Sequence, residues 1–429
     1  MTSRQSTWPV RPFSQVADYA VGKTPARANS AYWERSDDDI PWVSISDLEP
    51  YGVVAETKET ISRRAFDEVF RRRLVPAGTL LMSFKLTIGR VATLGVPAVH
   101  NEAIISIYPR PGVNQRFLGY FLSQYDYADL QDRQIKGNTL NKSKIDRIQV
   151  PIPLEIEQRQ IADVLDRLRR AIDLQDAVLG NLARTKSVTM QRVFSLGLRG
   201  GVQKEADISP IPENWNWVNF DDIREFLQYG TSVPCSLEPR TYPVLRIPNI
   251  EPGRVNGAEL KYCDLTPETA SKYLLEPGDL LFIRTNGVID RLGSCAVYGG
   301  EPKRALFASY LIRARLLDHA HPKFVAYFFG SPLGTELVAG RATPAADGKY
   351  NLNTGTIDAL PLPLPPTIAE QQEIVDVLDT LDRKIDLHGR KRAVLDQLFK
   401  SLLHKLMTGE ISVDDLDLST LPSIDGTAA

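Results

Sequence analysis

Only three cysteines occur in 429 residues, Cys235, Cys263 and Cys295. Their odd number and wide spacing argue against both a disulfide framework and a CxxC zinc knuckle, and they read as unpaired core thiols. Long apolar runs are missing too. No stretch of about 18 apolar residues occurs, and the opening MTSRQSTWPV has no apolar centre, which argues against a spanning helix or a secretory leader. A cytoplasmic location without a membrane partner is the expectation. Positive charge is not in excess either, since the formal net charge is -2. That excludes the global basicity of a sequence-independent nucleic-acid binder and leaves any such contact to local patches.

What is present is an ordinary globular composition, 43% hydrophobic and 24% charged, in a chain long enough for two or three domains. The chain is written twice. Glu157-Gln-Arg-Gln-Ile-Ala-Asp-Val-Leu-Asp166 returns as Glu370-Gln-Gln-Glu-Ile-Val-Asp-Val-Leu-Asp379, and the match runs on without a gap through Leu174 and Leu387. Each copy follows a proline-rich lead, Val150–Leu154 and Leu360–Pro366. Upstream the copies are looser: Val75–Leu81 answers Leu275–Phe282, and Ile88–Ala92 answers Leu292–Val297.

Apolar residues at Ile161, Leu165, Leu168, Ile172, Leu179 and Leu182 follow alternating steps of four and three, the spacing of a coiled-coil seam. The second copy carries Ile374, Leu378, Leu381, Ile385, Leu395, Phe399, Leu402 and Leu406. Gly197 and Gly409 mark helix ends, and each helix would be about 60 Å long. Either each helix lies on its own domain or the two clasp each other, and the matched seams favour an antiparallel clasp. The expected class is α+β: two mixed α/β domains joined by two long antiparallel coiled-coil helices, as a pseudo-twofold internal repeat. Globular parts are expected at 1–150 and 201–362, spacer helices within 151–200 and 363–410, and an acidic flexible tail at 411–429. Short β-branched or aromatic runs such as Leu80–Phe84, Ala103–Tyr108 and Leu280–Ile283 supply the strands.

Gly22-Lys-Thr-Pro25, Tyr32-Trp33 and Ile40–Leu48 in the first half, and Ile211–Trp215, Tyr229–Ser232 and Pro243–Ile250 in the second, join the doubled proline-rich lead into Glu-Gln. Together these motifs resemble the specificity subunit of type I restriction-modification systems over nearly the whole chain. The resemblance implies two target-recognition domains, each reading half of a bipartite site in double-stranded DNA. It implies helices that act as a ruler and dock modification subunits, two being the expected number, and it leaves open a restriction subunit as a further partner. S-adenosylmethionine, ATP and Mg are then expected only in partner subunits, with no cofactor, metal or catalytic site in this chain. Two unlike readers on a pseudo-twofold axis, about 34 Å apart, predict an asymmetric, gapped target.

Base edges are read by Arg, Lys, Asn and Gln with Ser and Thr as adaptable donors, and phosphates are held by Lys and Arg. Loops rich in these types are the candidates: Lys85, Thr87 and Arg90, then Lys136, Asn138, Thr139, Asn141, Lys142 and Lys144. Their counterparts are Arg284, Thr285, Asn286 and Arg291, then Arg341, Lys349, Tyr350 and Asn351. Lys23, Arg246 and Asn249 join them from the opening motifs, and the run Arg63, Arg64, Arg71, Arg72 and Arg73 offers phosphate contacts.

A methyltransferase would need a Gly-rich cofactor loop and an Asn-Pro-Pro-aromatic segment, and neither is present. Gly22-Lys23-Thr24 ends like a phosphate loop, but Ala17 stands where its first glycine belongs. The enzymatic alternative is a metal-dependent nuclease built on Asp47, Glu56 and Lys58, echoed by Glu251, Glu259 and Lys261. A protein-binding scaffold is a second alternative. His100, His319, His321, His388 and His404 form no cluster and read as ordinary surface or core residues.

Overall fold

In the computed structural model the described residues are 8–130, 132–134, 137–345 and 347–417, with the side chains of 129, 132–134 and 137–139 excepted. The chain packs as two units, Met1–Asp176 with Lys391–Ala429, and Ala177–Arg390. Both division points fall inside long helices, Glu155–Leu196 and Ile368–Thr408. Each unit therefore owns one globular part, the start of one long helix and the end of the other.

The two globular parts repeat one topology, with one strand added in the second. In the first unit a sheet runs Ala17–Val21, Ile104–Pro109, Leu80–Ser83, Val91–Leu94, Val53–Val54, antiparallel except for its last pair. In the second the order is Arg224–Tyr229, Leu311–Leu316, Leu280–Ile283, Cys295–Val297, Gly253–Val255, again with a parallel pair after Cys295–Val297, and Ile250–Glu251 adds a sixth strand. A smaller sheet centres on Ile40–Val43, between Glu59–Ile61 and Val99–His100, and its counterpart centres on Tyr242–Leu245, between Lys261–Cys263 and Leu306–Phe307.

The central strand of each large sheet is buried on both faces, which is why its sequence is a continuous apolar run rather than an alternation. Leu80 and Met82 enter one core while Leu81 enters another with Val43, Leu48, Leu94 and Ile104. Leu280 and Phe282 likewise part from Leu281 and Ile283. The first of these cores is closed by a helix capped by Asn114, Gln115–Gln124, and the second unit uses Pro322–Phe329 at the same point.

The long helices finish both cores. In the first unit Ile161, Leu165, Leu168 and Ile172 pack in one cluster with Phe117 and Leu118 of the domain and with Phe399, Leu403 and Leu406 of the second long helix. The helix thus lies on its own domain and against the other helix at once, where the sequence suggests one or the other. Arg169 lies over Phe399 at 5.7 Å and Asp176 meets Arg392 at 3.1 Å, so the number on one helix rises as that on the other falls. These segments are antiparallel. In the second unit Lys186 pairs with Asp382 at 2.5 Å and Arg199 with Glu373 at 2.8 Å, again antiparallel, beside a core of Met190, Val193, Phe194, Ile374, Val375 and Leu378. Leu179, Leu182, Leu381, Ile385, Leu395 and Leu402 are half-buried.

The Glu-Gln motif has a mechanical reason. Gln158 is fully buried, accepts the Asn114 amide at 2.8 Å and donates to Gly112 O at 3.0 Å and Pro153 O at 2.9 Å. Gln371, also fully buried, accepts the His321 amide at 2.7 Å and donates to His319 O at 3.0 Å and Pro365 O at 3.4 Å. One side chain in each unit thereby joins the helix start, the proline lead and the loop before the domain helix. The expected solvated tail departs from what is found beyond Gly409: Ile411, Val413 and Leu416 pack against the first core, because its acidic stretch carries apolar residues at intervals. Residues 418–429 lie outside the described residues.

His100 stands where the second unit has Phe307, and burial lowers its pKa to about 4. A group protonated only below its unfolded value contributes stability that is present above about pH 6.5 and lost as pH falls towards 4. We expect the first unit to lose about 2 kcal/mol between pH 7 and 5 from this residue, and His100→Phe to flatten that dependence in denaturant titrations at the two pH values. Gln158→Ala and Gln371→Ala should each cost about 1–3 kcal/mol by orphaning buried backbone groups. Chemical unfolding curves that shift by less than the measurement error would discount the clamp.

Candidate nucleic-acid interface

The strand Leu80–Ser83 leaves its sheet as a turn fastened by one hydroxyl. Ser83 Oγ donates to Thr87 O and accepts the Arg90 amide at 3.1 Å, while the Gly89 amide reaches Ser83 O at 2.9 Å. Lys85, Thr87 and Arg90 sit on this turn, with Thr87 exposed and Lys85 Nζ 5.3 Å from the Phe84 ring. A second segment is tied beside it: the Phe84 amide bonds Ala103 O at 2.9 Å, and the Leu140 amide bonds Phe84 O at 2.9 Å. Leu140 directly follows a hairpin of Asp132–Gln134 with Gly137–Thr139. Asn138 and Thr139 lie on that backbone, with side chains outside the described residues, as is Lys136 altogether. Asn141 caps the helix Lys142–Asp146 by accepting the Lys144 amide at 3.0 Å, which leaves Lys142 exposed on its first turn.

The second unit builds the same edge with the same two backbone ties. The Arg284 amide bonds Tyr310 O at 3.1 Å and the Leu352 amide bonds Arg284 O at 2.8 Å. Here the hairpin becomes a three-stranded ribbon, Thr285–Asn286 against Tyr350–Asn351 against Thr343–Pro344. Thr285, Asn286, Tyr350 and Asn351 are thus neighbours, all half-buried. Arg284 lies over the Tyr229 ring at 4.6 Å, and the adjoining Tyr310 is 59% exposed. Arg291 is exposed, Lys349 is ion-paired with Asp347 at 2.7 Å in full exposure, and Arg341 donates to Leu337 O at 3.2 Å. Asn353 caps the helix Thr354–Asp358 as Asn141 does its counterpart.

Other expected contacts are spent inside the fold. Asn249 is buried, accepts the Arg246 amide at 3.0 Å and donates to Asn256 O at 3.1 Å and Ala258 O at 2.7 Å. Arg246 reaches Glu259 O at 2.8 Å, and Lys23 Nζ donates to Val69 O at 2.9 Å. Asp47 occupies the position equivalent to Asn249, accepting the Ser44 amide at 2.8 Å and the Lys58 amide at 3.2 Å, while Lys58 Nζ donates to Ser46 O at 3.0 Å. An uncharged asparagine does the same work in the other unit, so the Asp47, Glu56, Lys58 order gains no support as a nuclease site. Two carboxylates of its own helix pair with part of the arginine run, Arg64 with Glu68 at 2.9 Å and Arg72 with Asp67 at 2.9 Å.

The motif glycines owe their place to backbone contact. A Cβ on Gly22 would stand 2.0 Å from His100 O and 2.3 Å from Asn101 O, and one on Gly230 would stand 2.3 Å from both Phe307 O and Ala308 O. Sequence reading overlooked Tyr310 and Asn353 and took Tyr229 only as part of an opening motif; aligning the two copies through the Leu140 and Leu352 positions would have paired Asn353 with Asn141.

A family model described as the type I restriction modification DNA specificity domain matches residues 5–182 and again 212–397. The chain is 26% identical over 308 residues to the type I restriction enzyme EcoKI specificity subunit of Escherichia coli K12, covering 69% of this chain and 65% of that protein. It is 24% identical over 319 residues to the type I restriction enzyme StySPI specificity subunit of Salmonella potsdam, covering 72% and 68%. In fold it is similar to the crystal structure of a type I restriction-modification system S subunit from M. genitalium, with a TM-score of 0.56, 12% identity, and 95% of this chain and 97% of that one covered.

Gly22→Ala and Gly230→Ala are each expected to destabilise their unit by more than about 2 kcal/mol, because carbonyl backbone rather than a flexible side chain must give way. Unfolding midpoints within error of the unsubstituted chain would show that the backbone yields freely.

Proposed function

The chain belongs to the family of type I restriction modification DNA specificity domains, and from that premise we propose that it is the DNA-reading subunit of such a system, with no catalytic site of its own. The observation that carries this reading is the doubled edge: one turn and one hairpin, hung on the same strand by the same two backbone bonds, but carrying different side chains in each unit. Each unit then reads one half of an asymmetric, gapped site, and the long helices set the gap.

In the second unit Thr285, Asn286, Tyr350 and Asn351 face base edges, since amides and hydroxyls supply paired donors and acceptors. Arg284, Arg291, Arg341 and Lys349 hold phosphates, the exposed Lys349–Asp347 pair giving way to a phosphate oxygen. In the first unit Thr87, Asn138, Thr139 and Asn141 take the reading role, and Lys85, Arg90, Lys136, Lys142 and Lys144 the phosphates. Exposed apolar side chains on the long helices, Leu174, Val394 and Leu398 in the first unit and Val188, Val377 and Leu387 in the second, support docking of two modification subunits. That complex works in the cytoplasm. S-adenosylmethionine, ATP and Mg belong to the partners.

Genome-wide methylation mapping in a host carrying this chain and its modification subunit should return a two-part gapped motif. Asn286→Ala and Asn351→Ala should each weaken binding roughly 10- to 100-fold and relax bases in one half only. A continuous short motif, relaxation of both halves together, or cleavage by the isolated chain that Lys58→Ala abolishes would refute the reading.

A further inference from the structure

Cys235 and Cys263 are far apart in sequence and adjacent in the fold. Ser236 and Tyr262 form an antiparallel bridge with two backbone hydrogen bonds, Ser236 N to Tyr262 O at 3.0 Å and Tyr262 N to Ser236 O at 2.8 Å. Stepping one residue along each strand places Cys235 opposite Cys263 in a non-hydrogen-bonded pair, where Cα atoms lie roughly 4.5 Å apart. A disulfide spans Cα separations of roughly 4.4–6.8 Å. Each thiol acts electrostatically on the other, and Cys235 Sγ donates to Val233 O at 3.1 Å. Cys263 is buried and Cys235 half-exposed, so one sulfur is open to a small oxidant while its neighbour is shielded.

The first unit shows what this position does. There the loop after Gly22 is tied to the equivalent strand by Arg27, which grips Glu59 through two bonds of 2.5 and 2.8 Å and lies over Trp33 at 3.7 Å. Glu59 and Lys261 hold matching places on their strands. The same loop meets the same strand in both units, through the Arg27–Glu59 pair in one and through the Ser236–Tyr262 bridge, with the two thiols beside it, in the other.

We propose that Cys235 and Cys263 form a redox clamp, closing to a disulfide under hydrogen peroxide and locking residues 231–241 onto the strand Lys261–Cys263. The Cys235 thiolate attacks peroxide; an S–O bond forms, the O–O bond breaks, and the departing hydroxide leaves as water with the thiol proton. Cys263 sulfur then attacks Cys235 sulfur, the S–S bond forms, the S–O bond breaks and a second water leaves. Two thiols are oxidised and one peroxide is reduced. Burial holds both thiols above the usual range, Cys263 up to about 11, so thiolate is scarce at neutral pH and the clamp responds to sustained rather than brief oxidant.

The test treats the full chain with hydrogen peroxide, quenches with N-ethylmaleimide and maps non-reduced peptides by mass spectrometry. The expected product is a Cys235–Cys263 peptide pair lighter by two hydrogens, reopened by dithiothreitol and formed about tenfold faster at pH 8 than at pH 7. Cys235→Ser and Cys263→Ser should each abolish it, Cys295 should stay reduced, and limited proteolysis within 231–241 should slow about tenfold in the linked chain. Three results would overturn the clamp: a sulfinic acid at Cys235 without a link, both thiols recovered as maleimide adducts, or equal proteolysis of linked and reduced chains. None of these readouts involves DNA, so the clamp and the DNA-reading proposal stand or fall separately.

Discussion

A long helix that must lie on a domain and against another helix at the same time has to be fixed in rotation and in height, and a buried glutamine does this in each unit. Apolar seams alone tolerate sliding and turning, because dispersion and burial carry little direction. Gln158 and Gln371 add three directed bonds each, to groups on both sides of the helix start. An amide suits the task because it donates and accepts at once and carries no charge to desolvate.

With the frame held this way, the junctions between domain and helix are free to differ. In the first unit Tyr51 stacks on Tyr120 at 5.5 Å and meets Phe399 edge-on at 5.2 Å, under the Arg169 guanidinium. In the second, Tyr327 Oη lies 2.7 Å from Asp379 and 2.6 Å from Asp382, its one proton shared between the two carboxylates, and Lys186 takes the place that the repeat gives to Phe399. Both units share a tyrosine on the helix aspartate, Tyr120 with Asp166 at 2.6 Å and Tyr327 with Asp379 at 2.7 Å; the first adds aromatic packing on Phe399 and the second an ion pair of Lys186 with Asp382. The second solution leaves a cleft of about 510 Å³ lined by Arg254, Lys323, Tyr327 and Asp386, among others, where the first leaves about 70 Å³.

How much of this could be read beforehand follows from what each feature depends on. The repeat, the helices and the start of each seam depend on local periodicity and were legible, as were the loops rich in Lys, Asn and Thr. Asn249 and Arg246 were misleading, because the side chains that suit base edges also suit closing a turn on backbone groups, and only burial separates the two uses. The later seam keeps Val193 on the heptad spacing but shifts by one residue to Met190 and Phe194, and in the second helix to Leu403 and Met407, and that shift went unnoticed. The pairing of Cys235 with Cys263 depends on strand register, which no spacing reveals.

Net charge is the remaining puzzle, since a chain of charge -2 must still meet a polyanion if it reads DNA. Much of its basic charge is cancelled inside the units, as by Arg27 with Glu59, Arg64 with Glu68, Arg116 with Asp163 and Arg224 with Asp358. Lys85, Arg90, Lys142 and Arg291, by contrast, join no salt bridge among the described residues. They fall on the very turns and helix starts that the doubled edge presents. Phosphate attraction placed beside loops that read bases would discriminate where a uniformly basic surface would bind any duplex. Low overall charge is on this argument a condition for selectivity rather than an obstacle to binding.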